Sequence, residues 1–291
     1  MQLGFSFFFD SAAVYLQVRQ TQISMESIFL SQREIRRYSK QIMIPEIGLE
    51  GQEKLKKAKV LIIGAGGLGC PVLQYLTAAG VGKIAIAEFD MVDESNLQRQ
   101  VLYGSSDVGK LKSIIAKNAL EHLNSLVEFE IFNLRLDASN SLTILKNFDV
   151  IVDATDNLDT RYIINDSCVI LDKPMVHGAI YKYEGVISVF NFKGGPTYRC
   201  YNPSTINKEF KNPLPAQVGL LGVLPGITGT YMANEVIKII TETGEILCGK
   251  VLLINIFSNI FNTFSVNNIP ENHNIKDLLV PQYRMIWPQK E

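Results

Sequence analysis

The segment Gly64, Ala65, Gly66, Gly67, Leu68, Gly69 carries glycines at the spacing of a phosphate-binding turn. It follows the apolar run Val60 to Ile63 and leads into a helical pattern from about Leu68 to Ala79. Glycines there allow a tight turn and let phosphate approach backbone N–H groups at a helix start, where the dipole favours anions. Glu88 closes the next apolar run, in the place where an acid binds ribose hydroxyls. A purely structural glycine turn is the bland alternative, and the strand, turn, helix and acid together favour a nucleotide site over it. They do not say which nucleotide, because an NAD-linked dehydrogenase would show the same glycines and the same acid.

A second group bears on that choice: Ser95 to Gln100 with Asn96 and Arg99, then Lys112, then Asp153 and Asp156. All lie in segments that start at the carboxyl edge of a strand, where a doubly wound fold binds ligands. Two cations and one or two carboxylates around a nucleotide suit phosphoryl chemistry. Cations offset phosphate charge and a carboxylate holds Mg2+, whereas hydride transfer needs neither. Taken singly, Arg99 and Lys112 read equally well as solvated charges and Asp156 as an N-cap for a helix from Leu158. Their grouping on one sheet edge favours the functional reading.

The elements that must position these residues alternate. Short apolar runs at 60–63, 83–89, 127–132, 150–152 and 175–179 are separated by helical patterns, which predicts a parallel sheet with both faces covered. Gly185 to Phe192, 250–257 and 261–266 read as further strands, and Pro225 to Thr241 as a helix. The fold class expected is α/β, a Rossmann-like doubly wound, mostly parallel sheet with helices on both faces. An N-terminal helical arm (25–57) precedes the main domain (58–266). That domain ends in an antiparallel sheet extension and carries a mobile crossover loop at about 201–217, ahead of a tail (267–291). Residues 1–24 hold the apolar run Leu3 to Phe9 without the basic start of a secretory signal. They are expected to be a weakly ordered extension or a mis-assigned start, with the fold beginning near Met25.

The 28 Lys plus Arg against 29 Asp plus Glu exclude a broad cationic face for nucleic acid, and no apolar run is long enough for a membrane span. Cys70, Cys168, Cys200 and Cys248 form no CxxC pair, so neither a disulfide framework nor paired zinc knuckles can be read. Reduced thiols in a cytoplasmic protein are expected. His177 reads as a hydrogen-bonded core residue and His122 as surface.

Taken jointly, Arg37 to Ile42 (RYSKQI), the glycine loop, SNLQRQ at 95–100, VGK at 108–110, ATDN at 154–157, GVLPGI at 222–227 and Glu235 to Lys238 resemble the MoeB/ThiF/HesA family. These are bacterial relatives of the adenylation domain of ubiquitin-activating enzymes, and the similarity runs from about Ser31 to Val266. The resemblance implies ATP-dependent adenylation of the C-terminal glycine carboxylate of a ubiquitin-like sulfur carrier protein, with release of pyrophosphate, in thiamine or molybdopterin synthesis. By the same resemblance, Gly64, Gly66, Gly67 and Gly69 line the ATP, Glu88 takes the ribose, and Asn96, Arg99 and Lys112 meet the phosphates. Asp156 holds Mg2+. A homodimer is implied, with Lys40 reaching the other subunit's ATP in place of the family's arginine. A sulfurtransferase is implied as a later partner.

Two departures limit the carry-over. Thr197 to Cys200 keeps one cysteine of a CxxC and none occurs near Asn268 to Asn274, so no structural zinc is expected. Pro215 stands about where many members place a cysteine for covalent sulfur handling. Cys200 could substitute, although an inert thiol is the favoured reading. The alternatives are an adenylating enzyme for another peptide or protein carboxylate, a nucleotide-binding scaffold for a ubiquitin-like partner, and an NAD dehydrogenase.

Overall fold

The computed structural model describes residues 29–203 and 219–278. The expected N-terminal extension (1–24), most of the crossover loop including Pro215, and the end of the tail lie outside the described residues. Among those described, the chain opens with the arm: α1 (Gln32–Arg37), α2 (Ser39–Ile42) and α3 (Gly48–Lys57). Ser31 caps α1 in a capping box, its hydroxyl accepting from Glu34 N while the Glu34 carboxylate accepts from Ser31 N.

Then β1 (Lys59–Ile63), α4 (Gly69–Ala79), β2 (Lys83–Ala87), α5 (Lys112–Leu123), β3 (Glu128–Phe132), α6 (Ser141–Leu145), β4 (Val150–Asp153), α7 (Leu158–Leu171) and β5 (Met175–Tyr181) alternate as expected. β6 (Glu184–Phe190), the single turn α8 (Tyr198–Tyr201), the long α9 (Val223–Thr241), β7 (Lys250–Asn255) and β8 (Ile260–Ser265) complete the described elements.

The eight strands form one sheet in the order β3-β2-β1-β4-β5-β6-β7-β8. The first five in that order pair in parallel, and β6, β7 and β8 add antiparallel. Each parallel strand is bounded by helices that cross over the sheet, so both of its faces are covered and its residues are apolar without alternation. Val60, Ile62, Ile84, Ile86, Val150 and Val152 pack one way, against α4, α5 and α9. Leu61, Ile63, Ala85 and Ile151 pack the other way, against α6 and α7. Each such buried Val, Leu or Ile side chain contributes about 2 kcal/mol by removal from water. The outermost strand β8 is exposed along its whole length.

The arm packs at the amino end of the sheet. The Tyr38 ring closes on Gly80, its hydroxyl accepts from Asn124 Nδ2 (2.9 Å), and Gln41 Nε2 donates to Ala79 O (3.3 Å). Ala79 ends α4, about 15 Å along that helix from Gly69 at 1.5 Å per residue.

Candidate adenylation site

The glycine loop joins β1 to α4 at the carboxyl end of the central strands. Gly64 has φ +96°, the left-handed region open to glycine, and a methyl group there would stand 2.7 Å from Ala154 O. Gly69 is buried, and a methyl group on it would stand 2.0 Å from Gly64 O, so this glycine lets the loop fold on itself. Gly66 differs: a methyl group would meet only Gln100 Nε2, at 3.6 Å. Gly67 packs on Pro225 at the start of α9 and on Arg99 Cγ. Gly64 and Gly69 thus close the turn, Gly67 makes room for Pro225, and Gly66 borders the open side.

Glu88 lies beneath the loop. One carboxylate oxygen accepts from Ala65 N (2.9 Å) and the other from Phe89 N and Asp90 N (2.8 and 2.9 Å). The acid expected on the ribose therefore also braces the glycine loop. Tyr103 assists by donating its hydroxyl to Ala65 O (2.7 Å), and burial raises that phenol far above its usual range.

Lys112 is the first residue of α5 and its side chain is 6% exposed. A cation at a helix N-terminus is opposed by the dipole, and a buried one needs an anion. Its ion-pair partner here is Asp90 Oδ2 at 3.4 Å, on a carboxylate that is itself half exposed. The backbone keeps the two together, since Lys112 N donates to Asp90 O (3.0 Å) and Val92 N to Lys110 O (2.8 Å). An ammonium so placed suits a ligand phosphate. Arg99 is half-buried, its guanidinium donating to Ser95 O (3.0 Å), and Asn96 lies one turn before it, donating to Ser95 Oγ (3.2 Å).

Across the loop, β4 ends at Asp153. Here the geometry corrects the reading of two carboxylates. Asp153 is wholly buried and accepts from Thr155 N (3.0 Å) and Thr155 Oγ1 (2.6 Å), with His177 Nδ1 at 2.7 Å, so it is not available to a metal. Asp156 is exposed and, among the described residues, makes no hydrogen bond or ion pair. Nor does it cap α7: Asn157 does, accepting from Thr160 N (2.9 Å). His177 is core, as expected, and His122 is exposed.

Lys40 is not brought to this site in its own chain. It is exposed on α2, whose neighbours Tyr38 and Gln41 grip the opposite end of the sheet. Within one chain the expected cations at the site are therefore Arg99 and Lys112, Lys40 having been expected from the other subunit. Asp90, Gln100 and Arg161 carry no role in the sequence reading. Asp90, two residues after Glu88, and Gln100, inside the SNLQRQ string, had a local signal, whereas the facing of Asp153 and His177 across β4 and β5 had none.

Cys200 occupies the corner where a zinc site was considered. Its sulfur accepts from Ile269 N (3.4 Å) and Asn272 Nδ2 (3.5 Å) and lies 3.4 Å from Thr197 Oγ1. Burial pushes its thiol up, and these hydrogen bonds outweigh that, leaving it below the ordinary thiol value. Among the described residues, no group of three or more His, Cys, Asp and Glu side chains could hold a metal ion on its own. None of their helices is long and apolar enough to cross a membrane.

A family model described as the ThiF family matches residues 38–275. The chain belongs to the ThiF family. Two curated relatives are similar across most of it. "Sulfur carrier protein adenylyltransferase" of Thermus thermophilus is 44% identical over 251 residues, covering 82% of this chain and 90% of that protein. "Probable molybdopterin-synthase adenylyltransferase" of Porphyra purpurea is 44% identical over 236 residues, covering 81% of this chain and 62% of that longer protein. Among solved structures, E. coli MccB with MccA-N7isoASN superposes with TM-score 0.73 at 23% identity, covering 84% of this chain and 74% of that one. At that identity the likeness shows the fold, and the doubly wound α/β architecture of this ThiF-family chain agrees with it.

Proposed function

We propose that this chain is an ATP-dependent adenylyltransferase that activates the C-terminal glycine carboxylate of a ubiquitin-like sulfur carrier protein. The observation that carries the reading is the abutment of two loops. Gly64 lies against Ala154 O and Thr155 N, which brings the glycine loop onto the turn that carries the partnerless acid Asp156, and Lys112, in the segment beyond β2, is a buried cation. Hydride transfer has no use for that acid and cation. Membership of the ThiF family, with relatives named as adenylyltransferases, supports the same choice.

The carrier's carboxylate is already ionised near neutral pH, so the reaction needs no side-chain base. What opposes it is the approach of an anion to a polyanion. Lys112 and Arg99 offset phosphate charge, the loop N–H groups hold the phosphates, and Glu88 with Asn96 orients the nucleoside and phosphates, so that carboxylate oxygen and α-phosphorus meet in line. The new bond joins that oxygen to the α-phosphorus; the bond to the β-phosphate breaks and pyrophosphate leaves. The residues fit Mg2+ as well, because Asp156 is an exposed carboxylate with no competing partner; it would hold the ion together with phosphate oxygens, which supplies further charge neutralisation.

A homodimer accords with the arm's position, since Lys40 can serve only a site other than its own chain's. The setting is a cytoplasmic pathway of thiamine or molybdopterin synthesis, with a sulfurtransferase acting after adenylation. The test is ATP–pyrophosphate exchange with candidate carriers. Exchange that requires a carrier ending in Gly-Gly, and that Asp156→Ala abolishes in a folded protein, is expected; undiminished exchange in that variant refutes the magnesium assignment.

A further inference from the structure

The buried pair Asp153 and His177 lies directly behind the Asp156 turn and is closed off from solvent. Asp153 is 0% and His177 1% exposed, and burying two ionisable groups is costly unless they are well paired. They face each other in register across β4 and β5, with Nδ1 to Oδ2 at 2.7 Å. The rings of Phe190 and Tyr198 lie against the imidazole (5.9 and 4.9 Å between centroids) and fix its plane. The other Asp153 oxygen accepts both the N–H and the hydroxyl of Thr155. Arg161, on the second turn of α7, donates from Nη2 to Thr155 O (2.8 Å), while its Nε stands 3.9 Å from Asp153 Oδ2, close enough to pair in charge but too far to hydrogen-bond.

Every polar group of Thr155 is therefore fastened from below, and Asn157 on the other side is fastened as the cap of α7. Between two anchored neighbours, Asp156 alone points outward without a partner.

We infer that Asp153, His177 and Arg161 form a buried brace whose work is to position Asp156 for the metal of the bound nucleotide. They are positioning residues: none touches substrate, and each acts through Thr155. The inference rests on the reading of Asp156 as the metal-holding acid. Apolar side chains could fill the same volume at similar stability. They could not hold the N–H, hydroxyl and carbonyl of one turn residue at once.

Calorimetric titration of a non-hydrolysable ATP analogue, with Mg2+ and with EDTA, reads the brace without turnover. Thr155→Val removes one hydroxyl and little volume; His177→Leu removes the imidazole donor; His177→Asn puts an amide donor where Nδ1–H stands. Thr155→Val and His177→Leu should each shrink the Mg2+-dependent gain in affinity by about tenfold while leaving the EDTA affinity within about twofold, and His177→Asn should retain the gain. If His177→Leu fails to fold, Thr155→Val carries the test alone. A folded Thr155→Val protein with the full gain, alongside an Asp156→Ala protein that has lost it, overturns the brace and spares the reading of Asp156. An Asp156→Ala protein that keeps the gain overturns both.

Discussion

Gly66 and Gly69 look alike in the sequence and do different work. Gly69 has no room for a methyl group, because Gly64 O would be 2.0 Å away, whereas at Gly66 the methyl would reach only a side-chain amide at 3.6 Å. Gly69→Ala should therefore lower stability by about 2 kcal/mol or more through backbone overlap. Gly66→Ala should melt within a degree or two of the parent, an effect of about 0.5 kcal/mol or less, while weakening ATP binding severalfold by crowding the phosphate side. Denaturant melts paired with nucleotide titration check both, and equal loss of stability in the two variants would contradict the division. Asp156 was legible as a candidate because it stands where polar residues follow a buried strand, and Lys112 because it opens a helix in the segment beyond the second strand. Asp153 was legible as polar but not as buried, since its burial comes from β5 and the aromatic rings around His177, none of which is local to it.

At the scale of elements, the strand pair β4 and β5 carries the titratable core. His177 sits below the ordinary imidazole value because burial disfavours its charged form and outweighs the attraction of Asp153. Burial pushes the Asp153 carboxyl up, yet hydrogen bonding and charge from His177, with Arg161 and Thr155, hold it below the usual carboxylate range. For His177 the unfolded chain takes up a proton that the folded chain refuses, so its contribution is intact above about pH 6.5 and is lost as pH falls below that value. For Asp153 the folded pKa is depressed, so its contribution is intact above about pH 4 and is lost only at lower pH. Urea unfolding at pH values between about 7.5 and 5 should show stability falling by up to about 1.4 kcal/mol per pH unit per proton. The slope should be smaller in His177→Asn; identical slopes would show that His177 titrates freely in the folded protein. Periodicity disclosed these strands to within a residue or two, because a strand buried on both faces is a continuous apolar run. It placed the strand after Lys83 two residues too long: Glu88 N still donates to Phe132 O (3.1 Å), but its carboxylate turns to the loop N–H groups and the regular pairing with β3 stops at Ala87.

For the whole molecule, the arm is the element whose meaning changes most. α1 to α3 bury Tyr38, Gln52 and Leu55 against the amino end of their own sheet, far from their own glycine loop. In the proposed homodimer Lys40 would contribute across the two-fold interface, and light scattering should give twice the 32.5 kDa chain mass. Lys40→Ala should lower carrier-dependent exchange by about tenfold. Mixed with the inactive Asp156→Ala protein, it should recover about a quarter of wild-type exchange, because half the dimers then hold one complete site of two. No recovery on mixing would place Lys40 outside the reaction.

The order of strands and helices, the glycine loop and the residues able to neutralise phosphate follow from the sequence, because periodicity and glycine spacing are local properties of the chain. Which of those residues meet is a matter of distance in space, and only the packed sheet decides it. The fold joined Gly64 to Ala154, turned Asp153 inward onto His177 and left Asp156 outward. It also set Lys40 at the far end of the sheet, 24 residues before the glycine loop in sequence (64 − 40 = 24) yet opposite it in the fold.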